Sequence, residues 1–105
     1  MRVVFHPEFS PDLVRFEAQY SQVSGGLALR FLNEVLQTIA AIKASPPSAG
    51  HFLATAASRS DVRRRNLRSF PFFVLYGFNG EQLFFGSIIP SRSDPLTWLS
   101  RFLRE

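Results

Sequence analysis

Asn79-Gly80 stands between two strongly apolar runs, "SFPFFVLYGF" before it and "EQLFFGSII" after it. In that setting Asn-Gly is the strongest short hairpin signal, because a type I′ turn needs positive φ at both central residues. Strands over residues 70–78 and 81–89 are therefore expected as antiparallel neighbours. Their alternation then constrains everything else. In Phe72-Phe73-Val74-Leu75-Tyr76 and Leu83-Phe84-Phe85, large apolar groups point to both sides of the sheet, so each face needs cover. Two helices can cover one face. The second is left either to a final helix folding back or to a partner.

The rest of the chain supplies those helices. Arg2-Val3-Val4-Phe5-His6, β-branched and stopped by Pro7, reads as an opening strand. Ser10-Pro11-Asp12 has the form of an N-cap, a proline at the first helical position and an early acid. Leu13, Phe16 and Tyr20 share one face of the helix it starts, and Gly25-Gly26 is expected to end it. Residues 27–43 hold no Gly or Pro, and Leu29, Leu32, Leu36, Ile39 and Ala40 recur at three- and four-residue spacing. Phe31, Val35 and Ile42 widen that apolar side. Ser45-Pro46-Pro47 stops this second helix, and residues 51–60 suit either a helical turn or irregular chain. A strand over 62–67 precedes the hairpin. Asp94-Pro95 repeats the cap-then-proline device ahead of Leu96, Leu99, Phe102 and Leu103. The expected fold is α+β, one domain over residues 1–105: an N-terminal strand, a helical hairpin, a three-stranded antiparallel meander and a short C-terminal helix.

Composition narrows the chemistry. A chain of 105 residues buries about 60–70% of its unfolded surface, enough for one modest core. It has no run of about 18 apolar residues and no signal-peptide pattern, so a cytoplasmic location and no membrane are expected. With no cysteine, disulfides, thiolate catalysis and Cys-based metal sites are excluded. His6 and His51 are the only histidines and lack metal-ligand spacing; no phosphate loop or Gly-x-Ser-x-Gly elbow is present. No metal or cofactor is expected. His6 reads as structural and His51 as solvated. The eight acids are scattered, and Glu17, Glu34 and Asp61 read as solvated or salt-bridged.

The basic residues are the distinctive set. Net charge is +4, and Lys43 is the one lysine beside eleven arginines. Arginine pairs bidentately with phosphate and carboxylate, which suits nucleic acid or an acidic partner; genomic base composition is the alternative origin of this bias. Arg59, Arg63, Arg64, Arg65 and Arg68 cluster, with Arg92 after the last strand. On a strand over 62–67, Arg63 and Arg65 share one face and Arg64 takes the other. Such a cluster either grips phosphates beside stacking aromatics or simply solvates an edge and blocks strand addition.

The segments "ALRFLNEVLQTIAAI", "RRRNLRSFPFFVLYGFNGEQLFFGSII" and "SRSDPLTW", in that order after an opening strand, resemble the RelE/ParE superfamily of bacterial type II toxins. The resemblance covers nearly the whole chain. It implies one of two activities, ribosome-dependent mRNA cleavage in the RelE-like branch or gyrase poisoning in the ParE-like branch. Cleavage by 2′-hydroxyl attack needs a base, an acid and cations for the charge on phosphorus. RelE-like ribonucleases carry an arginine at the position of Phe73, which is missing here, and a second that matches Arg92. Their closing tyrosine or histidine is matched by Trp98, which exchanges no proton near neutral pH. Many relatives also carry a histidine near the position of Pro90. Arg64, Arg65 or Arg68 remain as substitutes for the lost charge, and Arg65 and Arg92 as the residual catalytic candidates.

The resemblance thus favours a ParE-like toxin that works by binding, with DNA gyrase as target and a cognate antitoxin, acidic where it binds, as partner. Ribosome and mRNA are the partners in the ribonuclease reading, and an inactive antitoxin-binding module is a third. Arg63, Arg64, Arg65, Arg68, Arg92 and Trp98 are the candidate target- or antitoxin-binding residues. A homodimer and a heterotetramer with the antitoxin are both compatible with this.

Overall fold

The Asn79-Gly80 hairpin forms the centre of the sheet. A computed structural model describes residues 1–46, 61–93 and 101, with the backbone of 51–53. Its elements run β1 (Arg2–Phe5), α1 (Phe9–Ser21), α2 (Gly25–Ala44), β2 (His51–Leu53), β3 (Asp61–Asn66), β4 (Phe72–Phe78) and β5 (Gln82–Pro90). The expected meander β3-β4-β5 is present and antiparallel. The sheet is larger than the meander, with order β1-β5-β4-β3-β2. β1 adds parallel to β5, and β2 resolves the ambiguous start of 51–60 as a short strand on β3. The expected C-terminal helix lies outside the described residues, as do Arg59 and the side chains of His51 and Asp61. No described helix is long and apolar enough to cross a membrane.

The hairpin turn differs in kind from the expectation. Among the described residues Gly80 alone has positive φ, at 89°, so the turn is not type I′. Asn79 instead accepts the N–H groups of Glu81 and Gln82 on Oδ1, at 3.0 and 2.7 Å. The asparagine serves through its side chain, as Asx turns do. Further along, Leu75 pairs with Ser87 but Tyr76 with Phe85, so Gly86 is the extra residue of a β-bulge.

Both helices begin earlier than the proline and glycine signals imply. α1 starts at Phe9, with Glu8 as N-cap, and Pro11 occupies its third position, where a missing N–H costs nothing. Two contacts move the start. His6 Nδ1 accepts the N–H of Glu8 at 3.0 Å, and His6 O accepts that of Phe9 at 2.9 Å. Gly25-Gly26 opens α2 instead of closing α1, because Ser24 Oγ accepts the Leu27 N–H at 3.0 Å and caps there.

The structural role expected of His6 is thus a cap that requires neutral imidazole. Burial, and after it the charge of Arg101, lower its pKa below 6.5, against the opposing pull of Glu8 and Asp12. A depressed folded-state pKa gives stability that is complete above 6.5 and lost as pH falls through the folded value. Thermal melts between pH 7 and 5 should show a larger drop for the wild type than for His6→Asn, whose amide oxygen accepts the same N–H without titrating. Equal slopes would remove His6 from the pH dependence.

Aromatic rings decide which side of α2 turns inward. Phe31 meets Tyr20, Phe70 and Phe72 at centroid distances of 5.0, 5.3 and 5.0 Å. Phe31, Val35, Ile39 and Ile42 are buried with it, each full burial contributing roughly 1.5–3 kcal/mol. Leu29 and Leu36, expected at the centre of the apolar face, are instead 57% and 52% exposed. Tyr76, fully buried on this helix side, donates its hydroxyl to Pro46 O at 2.6 Å and ties the end of α2 to the sheet. On the far side Val62, Phe73, Leu75 and Ile89 form a second buried cluster. Each of these four residues is at most 1% exposed.

Candidate functional site

Strand pairing distributes the arginines over two faces and one end of the sheet. Arg63 pairs with Tyr76 and Arg65 with Val74, both residues of the helix-side core, whereas Arg64 pairs with Leu75 on the far side. The alternation expected for this strand is the one found. The arginines therefore do not form one patch.

On the far side Arg64 is anchored at two points. Its guanidinium carbon lies 3.9 Å from the centroid of the Phe73 ring, and one of its nitrogens donates to Asn66 Oδ1 at 2.9 Å. A cation over an aromatic face is stabilised by the ring quadrupole. Phe73 itself is 1% exposed. Phe73, which the resemblance matches to an arginine of the ribonucleases, is a core residue beneath an arginine from the neighbouring strand.

On the helix side, Arg65 and Arg68 line a groove of about 290 Å³ with Glu34, Gln37 and Thr38 of α2. Glu34, expected to be solvated or salt-bridged, uses its carboxylate to accept the N–H groups of Ser69 and Phe70. It fixes the loop between β3 and β4, where Arg68 is exposed.

Arg92 lies past the end of β5, where Ser91 N–H donates to Pro71 O at 2.8 Å and Ser93 N–H to Pro90 O at 2.9 Å. It lines a second groove, of about 330 Å³, with Phe16, Gln19 and Tyr20 of α1 and with Phe72. Phe72 belongs to the helix-side core and Phe73 to the far cluster, so Arg92 and Phe73 serve opposite faces. Trp98 lies outside the described residues. Burial pushes the Tyr20 hydroxyl pKa up. Among the described residues no group of three or more His, Asp or Glu has the arrangement of a metal site.

A second ionic site has no counterpart in the sequence patterns. Asp12, which reads as a helix-starting acid, is 2% exposed and pairs with Arg101 at 2.9 Å and Arg15 at 3.2 Å. Arg101 also donates to Gly86 O at 2.8 Å and to Ser87 Oγ at 3.3 Å, closing the edge of β5 that lies past the end of β1. The Asp12/Arg15 spacing is visible along a helix. The pairing with Arg101, 89 positions away, has no local signal.

Strand, helical hairpin and mixed five-stranded sheet, in this order, give an α+β fold that is shared by a solved structure. Among solved structures, a chain of the chromosomal ParDE toxin–antitoxin system from P. aeruginosa superposes with a TM-score of 0.70. The match covers 86% of this chain and 95% of that one at 17% sequence identity, so the likeness is one of fold. No protein-family model matches the sequence, and no curated protein matches it.

Proposed function

We infer that this chain is the toxin of a type II toxin–antitoxin pair of the ParE-like kind, inhibiting growth by binding DNA gyrase and neutralised by a cognate antitoxin. The observation that carries this is Phe73. A ribonuclease of this fold needs a cation there, and the residue present is buried, with Arg92 on the opposite side of the sheet. A toxin acting by binding needs neither. Arg63, Arg65, Arg68 and Arg92 supply charge toward the helix side and the rim, and the exposed Val14, Leu29 and Leu36 supply apolar surface for an antitoxin segment.

The test is pulse-labelling of DNA and protein synthesis in the minutes after inducing this chain alone in bacteria. An early fall in DNA synthesis, with purified chain altering gyrase supercoiling, is the expected result. If supercoiling and gyrase cleavage stay unchanged, the gyrase assignment is wrong. One observation favours the ribosome-dependent ribonuclease as a second reading: Arg64 carries a guanidinium over Phe73, close to the lost charge. It requires an early fall in protein synthesis and discrete transcript cuts that vanish in Arg64→Ala. Antitoxin binding without any growth effect would mark an inactive module.

A further inference from the structure

We propose that the groove between α1 and the end of the sheet where β4 begins and β5 ends is a docking pocket for a peptide. The occupant inserts one aromatic or large aliphatic side chain and sets an acidic group against Arg92. This rests on the reading that the chain acts through protein partners.

Size, lining and charge support that occupant. The groove holds about 330 Å³. A protein cavity of about 150 Å³ already accepts benzene. A phenyl or indole side chain therefore fits with part of its backbone. Phe16, Phe72, Pro71 and Pro90 make the walls apolar, and Gln19, Tyr20 and Arg92 are the polar lining. A few placed polar groups on an apolar wall is the composition of binding pockets. Among the described residues Arg92 is the one charge in that lining, and no carboxylate pairs with it. The Tyr20 hydroxyl likewise makes no hydrogen bond to the described residues. A guanidinium and a phenol without partners among the described residues suit a carboxylate on the occupant.

The same features disfavour nucleic acid. Among the described lining residues there is one cation, fewer than a phosphate backbone engages.

The experiment titrates the full chain, ¹⁵N-labelled, with the synthetic peptide acetyl-Glu-Asp-Phe-Glu-amide and follows backbone amide shifts. Shifts centred on Tyr20, Phe72 and Arg92 are expected. Arg92→Glu, a change at an exposed position, should weaken binding about tenfold and reverse the preference toward a Lys-Phe-Lys peptide. Gln19→Trp, which fills the groove from an exposed helix position, should abolish binding of both. Absence of shifts up to the solubility of the peptide, equal affinity in Arg92→Glu, or shifts mapping elsewhere would each overturn the pocket. Shifts at these residues with an oligouridylate and not with the peptide would assign it to RNA instead. Growth arrest by a chain that fails this titration removes the pocket and spares the toxin, whereas peptide binding without growth arrest does the reverse.

Discussion

Asp12→Ala is expected to lower the unfolding free energy by about 3–5 kcal/mol, because it removes the carboxylate that pairs with a largely buried arginine. The Arg101 side chain is 15% exposed and has its guanidinium shared among Asp12, Gly86 O and Ser87 Oγ. Without the carboxylate the cation loses the Asp12 charge while largely desolvated, and α1 loses its link to the bulged edge of β5. Urea titration followed by circular dichroism measures the change through the midpoint at constant m. Replacing both partners, Asp12→Leu with Arg101→Met, should recover much of the loss, since apolar pairs of similar volume often equal a buried ion pair. A loss below about 1 kcal/mol in Asp12→Ala would reduce the contact to an ordinary surface bridge.

Phe73→Arg, which introduces the residue type that the resemblance implies for the ribonucleases, is expected to cost on the order of 4–5 kcal/mol or more and to leave most of the chain unfolded. Two costs add. Removing a core phenylalanine costs about 3–5 kcal/mol through the cavity it leaves, and the incoming guanidinium meets an apolar site without a counter-ion. Arg64, now 3.9 Å from the ring, becomes a like charge. Loss of the cooperative thermal transition is the readout, and Arg64→Glu in the same chain should restore part of it by supplying a counter-charge. A well-folded Phe73→Arg chain that cuts transcripts would show the far face to be an accessible ribonuclease surface and overturn the reading of Phe73 as core.

Patterns within a few residues of one another are legible in the amino-acid sequence itself. Asn79-Gly80 announces the hairpin, and the alternation in β3 sends Arg64 away from Arg63 and Arg65, because both follow from local dihedrals and the two-residue strand period. The run from 27 to 43 announces α2. Its inward side is not legible, since Leu29, Leu32 and Leu36 on one stripe and Phe31, Val35 and Ile42 on another have similar hydropathy. Phe31 against Tyr20, Phe70 and Phe72 chooses between them. The helix starts differ from expectation for a related reason: Ser10-Pro11 and Gly25-Gly26 have the composition of boundaries, but His6 and Ser24 have the hydrogen-bonding geometry.

The candidate site divides in the same way. Residue chemistry alone makes this an arginine-rich chain without thiols, and periodicity alone makes it a strand, a helical hairpin and a meander. Which arginines share a surface depends on register and on the ends of strands far apart in the chain, so tertiary structure separates Arg64 from Arg92. It also joins Asp12 to Arg101 across 89 positions and sets Phe73 into the core. Short-range order follows from torsional preference and side-chain spacing, which are encoded residue by residue. Burial and charge pairing are properties of the assembled fold, because they depend on which distant groups exclude water from one another.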